Sequence, residues 1–417
     1  MAGSGYLANP WPAEDASPLR MQAVHGSADL GLQAGERLAC TSRRTLLSTM
    51  TVLGEPGEVF LLTHSALRAR LGMPTTACVE RIDPVTLRPL ARSVRLKGGP
   101  MWPGGMAVHR NGRLVVVYGR HAHLLDRHCQ WIQTRMLPVA QAYNSFVVLD
   151  NGLIVTKNLS DQTPAHLSVL EPDRLEPVGL TVVGPEPSIA RLSADGNTVY
   201  VVGVHSIFRY HWSEATQSLV RDEAWRYDYR SGTAQTWGWD VVLDGQDAWF
   251  MDNGQHRYVR SMLRAGVSRS PNRLIRVSLT DATDHHAVEV SGLPGGSITN
   301  PPLVDPMRRI VVGYDSANAV MRAWRIVGPA RQLQPLWTRS PLGCASHMIL
   351  YPDSGELVTN DYRQGREDVV VLDIESGAER GRVCTGGWMQ GVVFPSVGWG
   401  RDFYWSSMDR LTRVFVQ

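Results

Sequence analysis

The chain has 417 residues, 43% hydrophobic and 19% charged, with a formal net charge of +3. That apolar content excludes wholesale disorder, and so small a charge without a basic block leaves no footprint for nucleic acid. No run of about 18 apolar residues is present to cross a membrane, and the length suits two or three average domains or one large repeat-built domain.

Residues 1–40 are rich in Gly, Ala, Pro and Ser with weak periodicity, and read as an extended lead-in that partly orders against the body. Residues 41–417 read as one domain. The N-terminus lacks a basic stretch followed by an apolar one, so no export signal is legible. Cys40, Cys78, Cys129, Cys344 and Cys384 are scattered without a CxxC spacing. An odd, dispersed set of thiols fits a cytoplasmic protein.

From residue 46 onward one unit recurs: a short apolar strand, a tight turn, a β-branched strand, a loop, then two more strands. The turn and second strand read EPGEVFLLTH (55–64), RNGRLVVVYG (110–119), DNGLIVTKN (150–158) and ADGNTVYVVG (194–203). They continue as DGQDAWFMDN (244–253), DPMRRIVVGY (305–314), DSGELVTND (353–361) and GWGRDFYWSS (398–407). Asn-Gly, Asp-Gly and Pro-Gly are hairpin chemistry, because the turn needs positive φ. Spacings of about 40 to 60 residues are those of propeller blades. The expected fold is an all-β propeller of four-stranded antiparallel blades, eight favoured and seven the alternative. The last unit has room for about three strands, so ERLACTSRR near residue 40 is expected to supply its outer strand and close the ring.

The third strands end in a second turn, RIDPVTLRPL (81–90) and VLDIESGAER (371–380). Through Asp83, Pro84 and Thr86, and through Asp373, Glu375, Ser376 and Gly377, the chain resembles the PQQ-like and YncE-like propeller repeats. The resemblance covers most of the chain from about residue 45. The tryptophan-docking repeats of quinoprotein dehydrogenases are not evident, so it does not imply a quinone cofactor.

Strand direction locates a site. The start of each first strand and the end of each second strand share one face, and loops there converge on the central channel. Second strands end at His64, at Tyr118 to His121, at Lys157 and at His205. They end further on at Asp252 to His256, at Tyr314–Asp315, at Asn360–Asp361 and at Ser406–Ser407. First strands are approached through Trp102, Tyr143–Asn144, Glu186 to Ser188, and Trp237 to Asp240. Asn300, Ser346–His347, and Trp388 to Gln390 lead into the later ones. The opposite face collects the plain turns.

His64, His121, His205, His256 and His347 could converge as metal ligands, since imidazole suits Zn, Fe and Cu. No local ligand spacing supports this, and loop histidines bonded to backbone are the plain alternative. Asp252, Asp315 and Asp361 occupy equivalent ends in three successive units. A close pair would raise one pKa for acid/base work; otherwise each anchors its own loop. Trp102, Tyr143, Trp237, Trp239 and Trp388 either stack on a ligand or wedge between blades. Of the 42 cationic residues only Lys97 and Lys157 are lysines. A lysine, unlike an arginine, can lose its proton when buried, and Lys157 falls beside the funnel.

These residues point to a small-molecule-binding propeller, an enzyme of lyase or hydrolase type acting on an organic or carbohydrate substrate. His64, His205, His347, Asp361 and Lys157 are the candidate catalytic residues. Trp102, Tyr143, Asn144, Trp237, Trp239 and Asp252 are expected around the substrate, together with His256, Asn300, Tyr314, Asp315 and Gln390. No nucleotide cofactor fingerprint appears, and a bound metal is left open. A non-catalytic binding scaffold and a histidine-ligated metalloprotein are the alternatives. No membrane or nucleic-acid partner is expected, and oligomeric state is not legible.

Overall fold

The computed structural model describes residues 5–417 apart from positions 25, 27, 28, 46, 66, 67, 69, 70, 72, 100–103, 185 and 231. Among the described residues the strands form eight antiparallel sheets, each a blade; seven have four strands and one has a short fifth, and all but the last blade follow chain order. Blade 1 starts at Ser48–Leu53, Val59–His64, Thr76–Ile82 and Pro89–Arg92, with the short strand Leu96–Lys97 also paired to its third. Blades 2 to 7 begin at Gly105–Val108, Tyr143–Val148, Ser193–Asp195, Val242–Leu243, Leu303–Asp305 and Ile349–Tyr351. Blade 8 combines Ser396–Val397, Asp402–Ser407 and Arg410–Val416 with Leu38–Arg44 as its outermost strand. The expected closure is what forms: Leu38 pairs with Val416 and Arg44 with Arg410, so the ring has no seam with an open edge.

The hairpins follow the sequence chemistry. Gly112 and Gly152 take φ of 79° and 93° in the Asn-Gly turns, where a Cβ would be strained. The second strands lie between two blades, so both of their faces are covered. Leu114–Tyr118 and Ile310–Asp315 are buried at every position, which is why they read as continuous apolar runs. Outer strands such as Pro89–Arg92 and His285–Glu289 face solvent. The second turns repeat one geometry. Asp83 Oδ1 accepts from Thr86 N at 2.6 Å and Thr86 Oγ1 at 2.8 Å. Asp373 Oδ1 accepts from Ser376 N and Ser376 Oγ, both at 2.8 Å.

Residues 5–24 do not trail outside. They wind around the inner wall of the channel, bonding to successive innermost strands near their turn ends. Leu53 N of blade 1 donates to Trp11 O at 2.9 Å, and Val108 N of blade 2 donates to Pro12 O at 2.8 Å. Tyr6 Oη accepts from Val148 N of blade 3 at 2.7 Å. Ala194 N of blade 4 donates to Pro18 O (2.8 Å), and Leu243 N of blade 5 to Leu19 O (2.9 Å). Gln22 Nε2 donates to Pro302 O at 2.8 Å, and its Oε1 accepts from Met348 N at 2.7 Å, which reaches blades 6 and 7. Asp15, Ala16, Arg20 and Gln22 all have φ between 55° and 68°. Four left-handed non-glycine residues persist only where surrounding bonds over-determine the path.

Candidate functional site

The inner wall and the wound segment together enclose a buried charged cluster. Arg20 Nη1 lies 2.5 Å from Glu14 Oε2 and 3.6 Å from Asp15 Oδ2, and its Nη2 donates to Ser145 Oγ at 2.9 Å. His347, leading into blade 7, sits with Nδ1 2.7 Å from Asp15 Oδ1 and its ring 4.1 Å from that of Phe394. Arg191, leading into blade 4, places Nη1 3.2 Å from Asp240 Oδ2 and its guanidinium 4.5 Å over Phe394. Asp240 Oδ1 also accepts from Arg191 N at 2.6 Å. Burial opposes the Asp240 charge, but Arg191, Arg20 and His347 hold its carboxyl below the usual range. Burial keeps His347 below the ordinary histidine pKa against the pull of Asp15.

Lys157 completes the cluster from the second strand of blade 3. It is 1% exposed. Its Nζ donates to Ser188 O at 3.0 Å and to Asn158 O at 3.3 Å, both of them backbone carbonyls. Burial brings its pKa down to about 7, with Asp240 a smaller opposing influence. Asn300 and Tyr314 adjoin: Tyr314 Oη donates to Asn300 O at 2.9 Å, and Asn300 Nδ2 donates to Ala345 O at 2.7 Å.

The funnel side is bridged by residues 252–272, the connection between Asp247–Met251 and Arg273–Ser278 of blade 5. Met262 N donates to Gln390 Oε1 at 2.6 Å, Tyr258 Oη to Gln390 O at 2.9 Å, and Arg264 N to Ala317 O at 2.9 Å. Gln390 therefore fastens this connection to blades 7 and 8. His256 rides on it, half-buried, its pKa pushed down to about 4 by burial.

The structure thus gathers Lys157, Asp240, His347, Asn300 and Tyr314, and disperses the other candidates. Among the described residues no three His, Cys, Asp or Glu side chains are grouped to hold a metal ion, so the five histidines do not converge. His64 lies between blades 1 and 2 with its ring 5.6 Å from that of Tyr118, His121 bonds Gly98 O, and His205 is exposed with its backbone N on Glu186 Oε2 at 2.8 Å. Each of the three aspartates anchors its own loop. Asp252 takes Arg273 N and Nε at 2.7 Å each, and burial still raises its pKa to about 6. Asp315 accepts from Ser291 Oγ at 2.6 Å and Asn318 Nδ2 at 2.8 Å. Asp361 accepts from Gly343 N and Arg382 Nη1, both at 2.9 Å; burial would raise its pKa, but Arg363, Gly343 and Arg382 bring it below the usual carboxylate range.

The aromatic candidates mostly serve packing. Tyr143 is buried with its Oη on Val139 N at 3.2 Å, and Trp239 is buried with Nε1 on Gly254 O at 3.2 Å. Trp237 is half-buried, and Trp388 is exposed beneath Arg260. Trp102 lies outside the described residues, as does the side chain of Asn144, whose backbone is in the strand Tyr143–Val148.

Glu14, Asp15, Arg20 and Arg191 were not anticipated, and neither was Glu367. Glu367 is fully buried at the seam of blades 7 and 8, where Oε1 accepts from Asn360 Nδ2 at 2.9 Å and Oε2 from Ser407 Oγ. Burial raises its pKa to about 7.

No protein-family model matches this sequence, and no curated protein matches it. Solved structures do match in fold. A quinohemoprotein alcohol dehydrogenase from Pseudomonas putida aligns with TM-score 0.65 and 9% identity, over 98% of this chain and 80% of that one. A europium-containing methanol dehydrogenase aligns with TM-score 0.60 and 10% identity, over 96% of this chain and 89% of that one. A third protein, from Chaetomium thermophilum, aligns with TM-score 0.58 and 11% identity, over 91% of this chain and 98% of that one. At these identities the likeness is one of architecture, the ring of blades.

Proposed function

We propose that this chain is a small-molecule-binding propeller enzyme of lyase or hydrolase type, with Lys157 as the base that takes a proton from a polar organic substrate. The observation that carries this reading is the buried Lys157 amine, bonded to two backbone carbonyls and titrating near 7. An ammonium buried without a contacting carboxylate is expensive, and such groups concentrate at functional sites. A chain that meets 40 of its 42 cationic positions with arginine keeps at this one the side chain that can become a neutral base near neutral pH. The Arg191–Asp240 pair supplies fixed charge near it, and His347, in contact with Asp15, adjoins that pair as a neutral ring.

Two structural neighbours are alcohol-oxidising enzymes by name, one a quinohemoprotein and one containing europium. A resident metal needs a set of ligands that the described residues do not assemble. One observation favours a non-catalytic binding propeller instead: the chain's own N-terminal segment lines the axis.

The two lysines make the test direct. In protein labelled with ¹³C-lysine, the Lys157 Cε resonance is expected to titrate with a midpoint near 7 and to shift when small carboxylic acids and carbonyl compounds are added. A midpoint above 9 overturns the role of Lys157 as base. A correct midpoint with no response to any compound favours the scaffold.

A further inference from the structure

The connection that bridges the funnel presents arginine and apolar side chains together. Residues 253–272 carry Arg257, Arg260, Arg264 and Arg269 and no acidic residue. Arg257, Arg260 and Arg264 are exposed and form no ion pair among the described residues. They border one open depression with Val259, Leu263 and Val267, and Val259 is 67% exposed. Trp388, 53% exposed, lies with its ring 5.9 Å from the Arg260 guanidinium. Leu293, 47% exposed, stands on the loop between blades 5 and 6, against which the connection packs at Gly266 and Gly295. Met262 N on Gln390 Oε1 and Arg264 N on Ala317 O fix the backbone that carries these side chains.

A single exposed apolar residue needs no account, but a group of them set among unneutralised arginines does. Aliphatic side chains gain little against a water-soluble polyanion. They gain when buried at the boundary of headgroups and acyl chains, where arginine meets lipid phosphate and tryptophan is enriched.

We propose that the funnel side of this chain docks on an anionic lipid surface, with Val259, Leu293 and Trp388 entering the interface and Arg257, Arg260 and Arg264 meeting lipid phosphates. The expectation of no membrane partner rested on the absence of a spanning segment and on a net charge of +3. Neither bears on a surface contact. The net charge hides the cationic patch because the turns of the opposite face carry Asp83, Asp126, Asp173, Asp281 and Asp373. The inference is independent of Lys157, which is buried between blades 3 and 4.

The test is co-sedimentation of the full chain with vesicles of phosphatidylcholine, alone or with about 30% phosphatidylglycerol. The protein is expected to pellet with the anionic vesicles and not with the neutral ones, and to be released as salt rises from about 0.1 M to about 0.5 M. The triple variant Arg257→Gln/Arg260→Gln/Arg264→Gln and the variant Val259→Asp are each expected to weaken binding about tenfold or more. Met307→Asp, on the opposite face and 69% exposed, is expected to bind as the wild type does. No binding to anionic vesicles, or equal binding by the triple variant, overturns the proposal. Binding that Val259→Asp leaves unchanged overturns the entry of the apolar side chains into the interface. Tighter binding of a labelled single-stranded oligonucleotide, lost in the triple variant and kept in Val259→Asp, overturns lipid in favour of nucleic acid.

Discussion

Asp15 Oδ1 and His347 Nδ1 lie 2.7 Å apart at the axis of the ring, each residue no more than 1% exposed. One comes from the N-terminal segment and the other from blade 7. The contact ties the inner lining to the wall it lines, at a residue whose φ of 55° leaves little freedom.

Asp15→Ala removes the partner of His347 and of Arg20 and places alanine in a left-handed conformation. The expected loss is about 3–5 kcal/mol of unfolding free energy for the broken buried pairs, read from urea midpoints. Asp15→Asn keeps a side chain that tolerates this backbone and is expected to lose less. Equal losses in the two variants would show that the contact contributes nothing beyond the backbone.

Arg20→Met leaves Glu14 and Asp15 buried without their nearest cation. A cost of about 3–5 kcal/mol is expected at pH 8. Burial already raises the Glu14 pKa, and losing Arg20 raises it further. The deficit should therefore shrink as pH falls and Glu14 takes a proton. A pH-independent deficit in paired denaturation curves would contradict this.

Lys157→Met should stabilise the protein. The folded pKa of about 7 lies below the ordinary lysine value of 10.5, so the unfolded chain binds more protons between those values. The wild type carries its full penalty below pH 7 and sheds it as pH rises toward 10.5. The advantage of the variant is expected to be several kcal/mol at pH 6 and to vanish near pH 10.5, followed by urea denaturation at matched pH.

Glu367→Gln tests the opposite sign. The folded pKa is raised from 4.5 to about 7, so the wild type is penalised increasingly across that interval and fully above it. The variant should match the wild type at pH 4 and exceed it by about 3 kcal/mol at pH 8. Its amide can face Ser407, whose hydroxyl turns to accept. A variant less stable at every pH would mean that the carboxylate is a net asset.

The fold was legible because its signals are local. Each of the eight quoted turn-and-strand segments is the second strand of a blade, since hairpin glycines and two-sided burial leave marks within ten residues. Strand direction also carried Lys157, Asp240 and His347 to one place. The lining was not legible as such. Residues 5–24 bond singly to a different blade every few residues, so they have no period of two or 3.6 to read. Arg191 was hidden by abundance, as one arginine among forty. Glu367 stands in a third strand, where a charged residue ordinarily faces out. His64 shows the limit of register: it does end a second strand, but register fixes height along the axis and leaves sideways direction to neighbouring blades.

The closure of blade 8 also sets an order of events. Its outer strand Leu38–Arg44 is synthesised before every other blade, and its partner Arg410–Val416 after them. The longest-range contacts in the chain therefore form across the largest loop, which makes closure a slow step of folding. Until then the first strand is an unpaired edge exposed to other chains, and a natural client for a chaperone. Because Leu38–Arg44 directly follows the lining, zipping this seam also anchors the inner segment. Strand-seam opening, proteolytic access to residues 5–24 and loss of the axial cluster should then share one rate.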